Sequence, residues 1–295
     1  MYAGAMDPLR LSLIIPTLDR SDHLLPLLGD ALAQAPEDAE IWVIDQSGDQ
    51  DALRSQGWIT GRADPRLRWV RAPRRGLPTA RNVGLSHAVG EVVLFLDDDT
   101  RLREGCVRAH LDNYRDPRVG GVVGRIYERT LRPNISRTSN VLSLGGRVLT
   151  NLEGRERVRV ATLKGANMSF RREALRSAGP FDPRYLGTAF LEDADMSTRV
   201  AALGWELWFD PAAALDHNSA PTGGVRTGQR RSTEVWRFHN TGVFVARHRG
   251  RRAAAATWLT FSLIAARRAA EWGEPRAAAE LMGALWRGMR LGAGR

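Results

Sequence analysis

Val92-Val93-Leu94-Phe95-Leu96-Asp97-Asp98-Asp99 is the stretch that decides how this 295-residue chain folds. Five apolar residues in an unbroken row predict a short strand covered on both faces, the pattern of a parallel sheet. The run ends in three consecutive carboxylates, which repel one another unless a cation relieves them. In extended backbone, residues two apart face the same way, so Asp97 and Asp99 share a direction while Asp98 points elsewhere. Oxygen ligands suit Mg2+ or Mn2+, ions that hold diphosphates through one or two carboxylates. A solvated acidic turn capping the next helix is the alternative reading, and the tripeptide alone does not separate the two.

Upstream, the same kind of apolar run recurs at Leu11–Ile15, Ile41–Ile44 and Leu67–Val70, with amphipathic stretches at His23–Gln34, Asp51–Trp58 and Leu77–Ala88. Short strands alternating with helices predict βαβ units and a mostly parallel, Rossmann-like α/β sheet flanked by helices. In such sheets ligands bind beyond the carboxyl ends of the strands. Polar residues follow these runs: Thr17 and Asp19 after the first, Asp45 after the second. A carboxylate at Asp45 suits the imide of a base. Arg81 opens a helical stretch after Gly76 and suits a phosphate. Taken singly, either residue reads as an ordinary surface ion pair.

Downstream, the pattern predicts a helix near Glu104–Tyr114 and strands at Val119–Ile126, Ala166–Phe170 and Glu206–Phe209. Further helices fall at Arg172–Ala178 and Glu192–Leu203. Residues 128–160 are rich in Arg, Asn and Ser and read as a variable excursion. Glu192, Asp193 and Asp195 open a helix, where acids favour the dipole. Because Glu192 and Asp193 follow Gly187 and an aromatic residue, they also read as a base set over a cleft by a flexible loop. His217 follows a strand run and is a candidate third metal ligand, although a lone His is more often structural.

The chain carries 43 basic and 33 acidic residues, a formal charge of +10. From His217 to Arg295 there are fourteen Arg and four Glu, so the whole excess lies there and the first 216 residues are neutral. A hydrophobic content of 43% argues against disorder, and the single cysteine, Cys106, excludes a disulfide scaffold. No uninterrupted apolar run reaches the roughly 18 residues of a membrane span, and no apolar leader opens the chain. Gly4–Pro8 reads as a cloning remnant. Lys164 is the sole lysine. Ala253–Ala266 is free of charge and bracketed by Arg251-Arg252 and Arg267-Arg268. It is too short to span and suits either a helix packed on the rest of the chain or one lying in a membrane interface, with Trp258, Trp272 and Trp286 at headgroup depth. Oligomerisation through the same face is a third reading.

Five segments occur in a fixed order: Leu11–Arg20, Val43–Asp49, Thr79–Asp99, Gly165–Arg171 and Leu191–Asp195. In this combination the chain resembles the inverting family 2 glycosyltransferases of the GT-A fold, over roughly Leu9 to His217. The resemblance implies a catalytic domain at 9–217, with a nucleotide-sugar half (9–100) and an acceptor half (101–217). A basic, mainly helical extension would follow at 218–295. It implies nucleotide contacts from Thr17, Asp19, Asp45, Arg81 and Asp98, and a Mn2+ or Mg2+ site at Asp97, Asp99 and His217. Asp193 is implied as general base, with Glu192 beside it, and Gly165-Ala166-Asn167 as the loop beside sugar and acceptor. The implied partners are a nucleoside diphosphate sugar, UDP ahead of dTDP or GDP, and a hydroxyl acceptor in a bacterial polysaccharide or a lipid-linked glycan. The implied place is the cytoplasm, at the inner face of the membrane if the tail meets anionic lipid. Two departures stand out: Gln46-Ser47-Gly48 replaces the commoner Asp-Gly-Ser, and 128–160 matches no motif.

Two rival classes remain. A nucleic-acid-binding protein would use the basic tail, but no RNA-recognition, zinc-finger or KH pattern is present and the body is neutral. A nucleotidyltransferase also pairs sheet-edge carboxylates with a metal. It usually has a Gly-rich phosphate loop near its start, which Leu13–Thr17 lacks.

Overall fold

The computed structural model describes residues 9–128, 139–142, 148–151, 154–218 and 230–294. The Gly4–Pro8 segment lies outside them, as does most of the excursion between 128 and 154.

Three strand–helix units open the chain: β1 (Leu11–Thr17), α1 (Ser21–Gln34), β2 (Glu40–Asp45), α2 (Asp49–Arg62), β3 (Leu67–Arg71) and α3 (Leu77–His87). Then come β4 (Val92–Leu96), β5 (Thr100–Leu102), α4 (Cys106–Asn113) and β6 (Val119–Glu128). A two-stranded ribbon, β7 (Ser139–Leu142) with β8 (Val148–Asn151), precedes the short β9 (Val158–Arg159). The chain continues through β10 (Asn167–Arg171), α5 (Arg172–Ala178), α6 (Glu192–Ala202) and β11 (Glu206–His217). Three helices end it: α7 (Arg230–His248), α8 (Gly250–Trp272) and α9 (Arg276–Ala293).

The main sheet runs β3-β2-β1-β4-β10-β6-β11-β5, with β9 also on β11. β1 to β4, β6 and β11 are parallel, while β10, β5 and β9 run the other way. Every residue of β1 and β4 is buried, which is why both read as continuous apolar runs. The chain winds from β1 outward to β2 and β3, then returns to place β4 on β1's other side. The loops leaving β1 and β4 therefore diverge and open a crevice at the switch point. Helix α3 begins after Gly76 with Pro78 in its first turn, where a missing N–H is harmless.

β11 is longer than its predicted Glu206–Phe209 core. It continues, with a register irregularity between Asp210 and Leu215, to His217, which pairs with Thr100 of β5 and Glu128 of β6. Position 217 is thereby fixed one residue from Asp99 by strand pairing.

The C-terminal helices pack on one another through Phe238, Phe261, Leu281 and Leu285. α7 and α9 approach closely: a Cβ on Gly242, Gly288 or Gly292 would strike the facing backbone. A second cluster joins α7 to the segment before α6, through Tyr185, Ala189, Leu191, Val243 and Phe244. Among the described residues, no helix is long and apolar enough to cross a membrane.

Candidate active site

Past the end of β4 the chain turns at Asp98 and Asp99 rather than staying extended, and the carboxylates still separate, Asp98 from the other two. Asp97, Asp99 and His217 each offer a ligand atom, all within 4.8 Å of one another. Asp98 turns the other way and is buried, accepting from Thr17 Oγ1 at 2.8 Å and from Arg20 Nη1 at 3.1 Å. Burial pushes the Asp98 carboxyl up to about 7, against the pull of Arg20. Arg20 Nη1 also bridges to Asp99 at 3.1 Å, so one guanidinium spans two of the three acids.

His217 Nε2 lies 3.1 Å from Asp99 and Nδ1 lies 3.3 Å from Glu128. Burial opposes a charged imidazole here, but the hydrogen bonds to Asp99 and Glu128 outweigh it and raise its pKa to about 9. Two carboxylates and an imidazole on converging strand ends form a donor set that suits Mn2+ or Mg2+. Glu128 on the far ring nitrogen is the partner a ligating histidine generally has.

One cleft runs through this point. Its first chamber is walled by Pro16, Thr17, Arg20, Gln46, Gly76 and the three acids. Its second, about 1170 Å³ including the open mouth, is walled by Glu128, Lys164, Gly165, Ala166, the segment 188–194 and Thr233. Leu77, Asp97, Thr188 and His217 border both chambers.

In the second chamber, Asp193 is half-buried in the first turn of α6. Its Oδ2 accepts from Gly165 N at 2.9 Å and its Oδ1 from Ala194 N at 2.8 Å. These two bonds fix the carboxylate's direction and leave a lone pair on each oxygen. Glu192 is buried and in direct ionic contact with Arg81, so the neighbouring acid is committed elsewhere. Asp195 is fully buried among Arg199, Arg247, His248 and Tyr185 and does not face the cleft.

Several residues sit differently from the sequence reading. Arg81, expected to face a phosphate, is 1% exposed and lies among carboxylates, with Glu192 in contact, Asp97 at 3.5 Å and the Gly165 carbonyl at 3.1 Å. Burial lowers its pKa, and Asp97 and Asp193 restore part of it. A Cβ at Gly165 would strike this guanidinium at 2.6 Å, which accounts for the glycine. Asp45 is fully buried, its oxygens accepting from Trp69 Nε1 at 3.1 Å and Ser47 N at 2.8 Å, and it does not line the first chamber. Asp19 stands beside the cleft, tying Gly48 N at 2.6 Å and so joining the β1–α1 and β2–α2 loops. Asn167 turns into the core. Its amide reaches Ala213 O at 2.8 Å and His110 at 2.9 Å, leaving only Gly165 and Ala166 of that loop in the cleft.

The loop before α6 is not loose. Asn240 of α7 is buried and holds Leu186 twice, accepting from its N–H and donating to its carbonyl, both at 2.9 Å. Gly187, at φ +59°, lies so close to Trp236 that a Cβ would overlap the ring. With Thr233 in the cleft wall as well, α7 forms part of the second chamber. Sequence reasoning gave no site role to Arg20, Gln46, Glu128, Lys164, Thr188 or Thr233. Arg20 and Gln46 stood inside quoted motifs, whereas the strand pairing of Glu128 with His217 has no local signal.

The sequence profile described as "Glycosyl transferase family 2" matches residues 12–179, more than half of the chain. The chain belongs to this family. Its relatives include the pre-mycofactocin glycosyltransferase of Mycobacterium tuberculosis, 30% identical over 148 residues, 49% of this chain and 30% of that protein. Another is the same organism's N-acetylglucosaminyl-diphospho-decaprenol L-rhamnosyltransferase, 32% identical over 110 residues, 37% of this chain and 34% of that protein. The chain thus spans about a third or less of the curated relatives it matches. Among solved structures, GalNAc-T7 with UDP, GalNAc and Mn2+ superposes with a TM-score of 0.72 at 16% identity, over 90% of this chain and 52% of that one. The mannosyltransferase PcManGT from Pyrobaculum calidifontis, with GDP-Man and Mn2+, gives 0.61 at 18% identity, over 100% and 90%. These two likenesses establish the GT-A-type fold of this family 2 chain.

Proposed function

We propose that the protein is a metal-dependent, inverting glycosyltransferase that moves a sugar from a nucleoside diphosphate to a hydroxyl acceptor. The observation that carries this reading is the two-chambered cleft, with Asp97 and His217 at the junction and Asp193 in the far chamber. In this reading Thr17, Arg20, Gln46 and Asp98 wall the nucleotide chamber, and Asp97, Asp99 and His217 hold the divalent ion. When bound, that ion neutralises charge developing on the diphosphate leaving group.

Asp193 supplies the base. Its carboxylate takes the proton of the acceptor hydroxyl as that oxygen bonds to the anomeric carbon and the bond to the diphosphate oxygen breaks. Attack from the side opposite the leaving group inverts the centre in one displacement. The backbone donors at Gly165 and Ala194 hold the carboxylate still, and Arg81, in the chamber wall, offsets part of the charge of Asp97, Glu192 and Asp193.

A UDP-sugar is the proposed donor, in line with the structure of GalNAc-T7 with UDP, GalNAc and Mn2+. The proposed acceptor is a glycan of a bacterial polysaccharide or glycolipid, in line with the relative named for an N-acetylglucosaminyl-diphospho-decaprenol substrate. The proposed location is the cytoplasm. A panel of nucleotide sugars screened by thermal shift with Mn2+ and with EDTA tests donor and metal together. One donor should stabilise the fold with Mn2+ and lose the effect in EDTA. Stabilisation by no nucleotide sugar would remove the proposal.

A further inference from the structure

Helix α8 is apolar on more sides than the protein covers. Its buried residues, Ala253, Thr257, Phe261, Ala265 and Ala269, fall every fourth position and form one narrow stripe against α7 and α9. The opposite stripe, Ala255, Leu259, Leu263, Ala266 and Ala270, is exposed, with Leu259 67% and Leu263 69% accessible and Trp258 at its flank 40% accessible. A helix without a polar face is ordinarily buried on all sides. This one presents leucines outward in the middle and arginines at the ends.

The charge around that stripe says what covers it. Arg251 and Arg252 open the helix, are exposed, and form no ion pair among the described residues. Arg267, about 22 Å further along by helical rise, closes it and meets only Glu271. The described C-terminal helices, 230–294, hold twelve arginines and four glutamates. A second copy stacked in parallel would set Arg251 and Arg252 against their own equivalents, and stacked antiparallel against Arg267. An anionic lipid surface offers the complementary charge and an apolar layer beneath it.

We propose that the outward face of α8 docks on an anionic bilayer surface, with Leu259, Leu263 and Trp258 entering the boundary between headgroups and chains and Arg251 and Arg252 on lipid headgroups. This contact lies outside the cleft and is independent of the donor, the acceptor and the reaction proposed above.

The test is co-sedimentation of the full chain with vesicles of phosphatidylcholine alone and with about one third phosphatidylglycerol. Binding should require the anionic lipid and weaken steeply as salt is raised. Leu259→Ser with Leu263→Ser, and separately Arg251→Glu with Arg252→Glu, should each lower vesicle partitioning at least about tenfold. Both double variants should keep the wild-type melting temperature and Mn2+-dependent nucleotide binding, since all four side chains are exposed and outside the cleft. No binding to the anionic vesicles at low salt would overturn the proposal. So would unchanged binding by both variants, or a dimer in sedimentation velocity that Leu259→Ser with Leu263→Ser dissolves while vesicles are ignored.

Discussion

At the scale of single residues, the neighbouring acids Glu192 and Asp193 have opposite surroundings and should fail differently. Asp193→Asn removes the proposed base and is expected to lower transfer about 10²–10⁴-fold, with Mn2+-dependent donor binding retained in calorimetry. Glu192→Gln instead leaves Arg81 buried without its closest anion. Breaking a buried pair by removing one partner costs about 3–5 kcal/mol, so this variant should show a large fall in urea midpoint. His217 carries a pH prediction. Its folded pKa, about 9, lies above the ordinary 6.5, so without metal its contribution to stability is complete below pH 6.5 and disappears as pH rises through 9. The proton occupies a ligand position, so Mn2+ affinity should rise about tenfold per pH unit from roughly pH 7 toward 9, and His217→Gln should flatten that slope in a Mn2+ titration followed by calorimetry.

At the scale of elements, the strands β1, β2 and β4 were legible because a strand covered on both faces has to be apolar nearly throughout, while β3, at the sheet edge, keeps Arg68 and Arg71 exposed. The triple acid after β4 was legible as a cluster of carboxylates at a strand end, although a turn at Asp98 and Asp99, and not an extended period of two, sets Asp98 apart from its neighbours. Side-chain partners were not legible: Asp45 and Arg81 are of the types that bind nucleotides, yet Asp45 is buried against Trp69 and Ser47, and Arg81, in the wall of the second chamber, is paired with Glu192 and Asp97. Nor was the contribution of α7, since Thr233 lines the second chamber while Trp236 and Asn240 hold Gly187 and Leu186 just before it, from a distant helix and without a local pattern. That contribution is testable. Asn240→Ala removes both bonds to Leu186, and each buried group left unpaired costs about 1–3 kcal/mol. The loop 186–191 should loosen, raising KM for the acceptor several-fold while donor affinity, measured by calorimetry, stays near wild type.

At the scale of the whole molecule, the sequence divides by charge while the structure joins by packing. The neutral first 216 residues contain the acids of the cleft, and the basic helices cover the back of one chamber. Asp195 is the joint: burial disfavours its charge, but His248, Arg199 and Arg247 hold its pKa below the usual range. Ending the chain before Arg230 would uncover Tyr185, Ala189, Leu191 and Ala194 and remove two of those partners. Such a truncation should be poorly soluble and melt early by light scattering and circular dichroism.

Lys164 brings a practical consequence. It is the only lysine of the chain, half-buried in the wall of the second chamber beside Gly165. Amine-directed reagents such as succinimidyl esters or reductive methylation therefore meet one side-chain target in the entire protein, apart from the terminal amine. A fluorophore or an isotopic methyl group placed there becomes a built-in reporter at the chamber where the acceptor is proposed to sit. Its protection from labelling would allow unlabelled glycans to be ranked before any product has been identified.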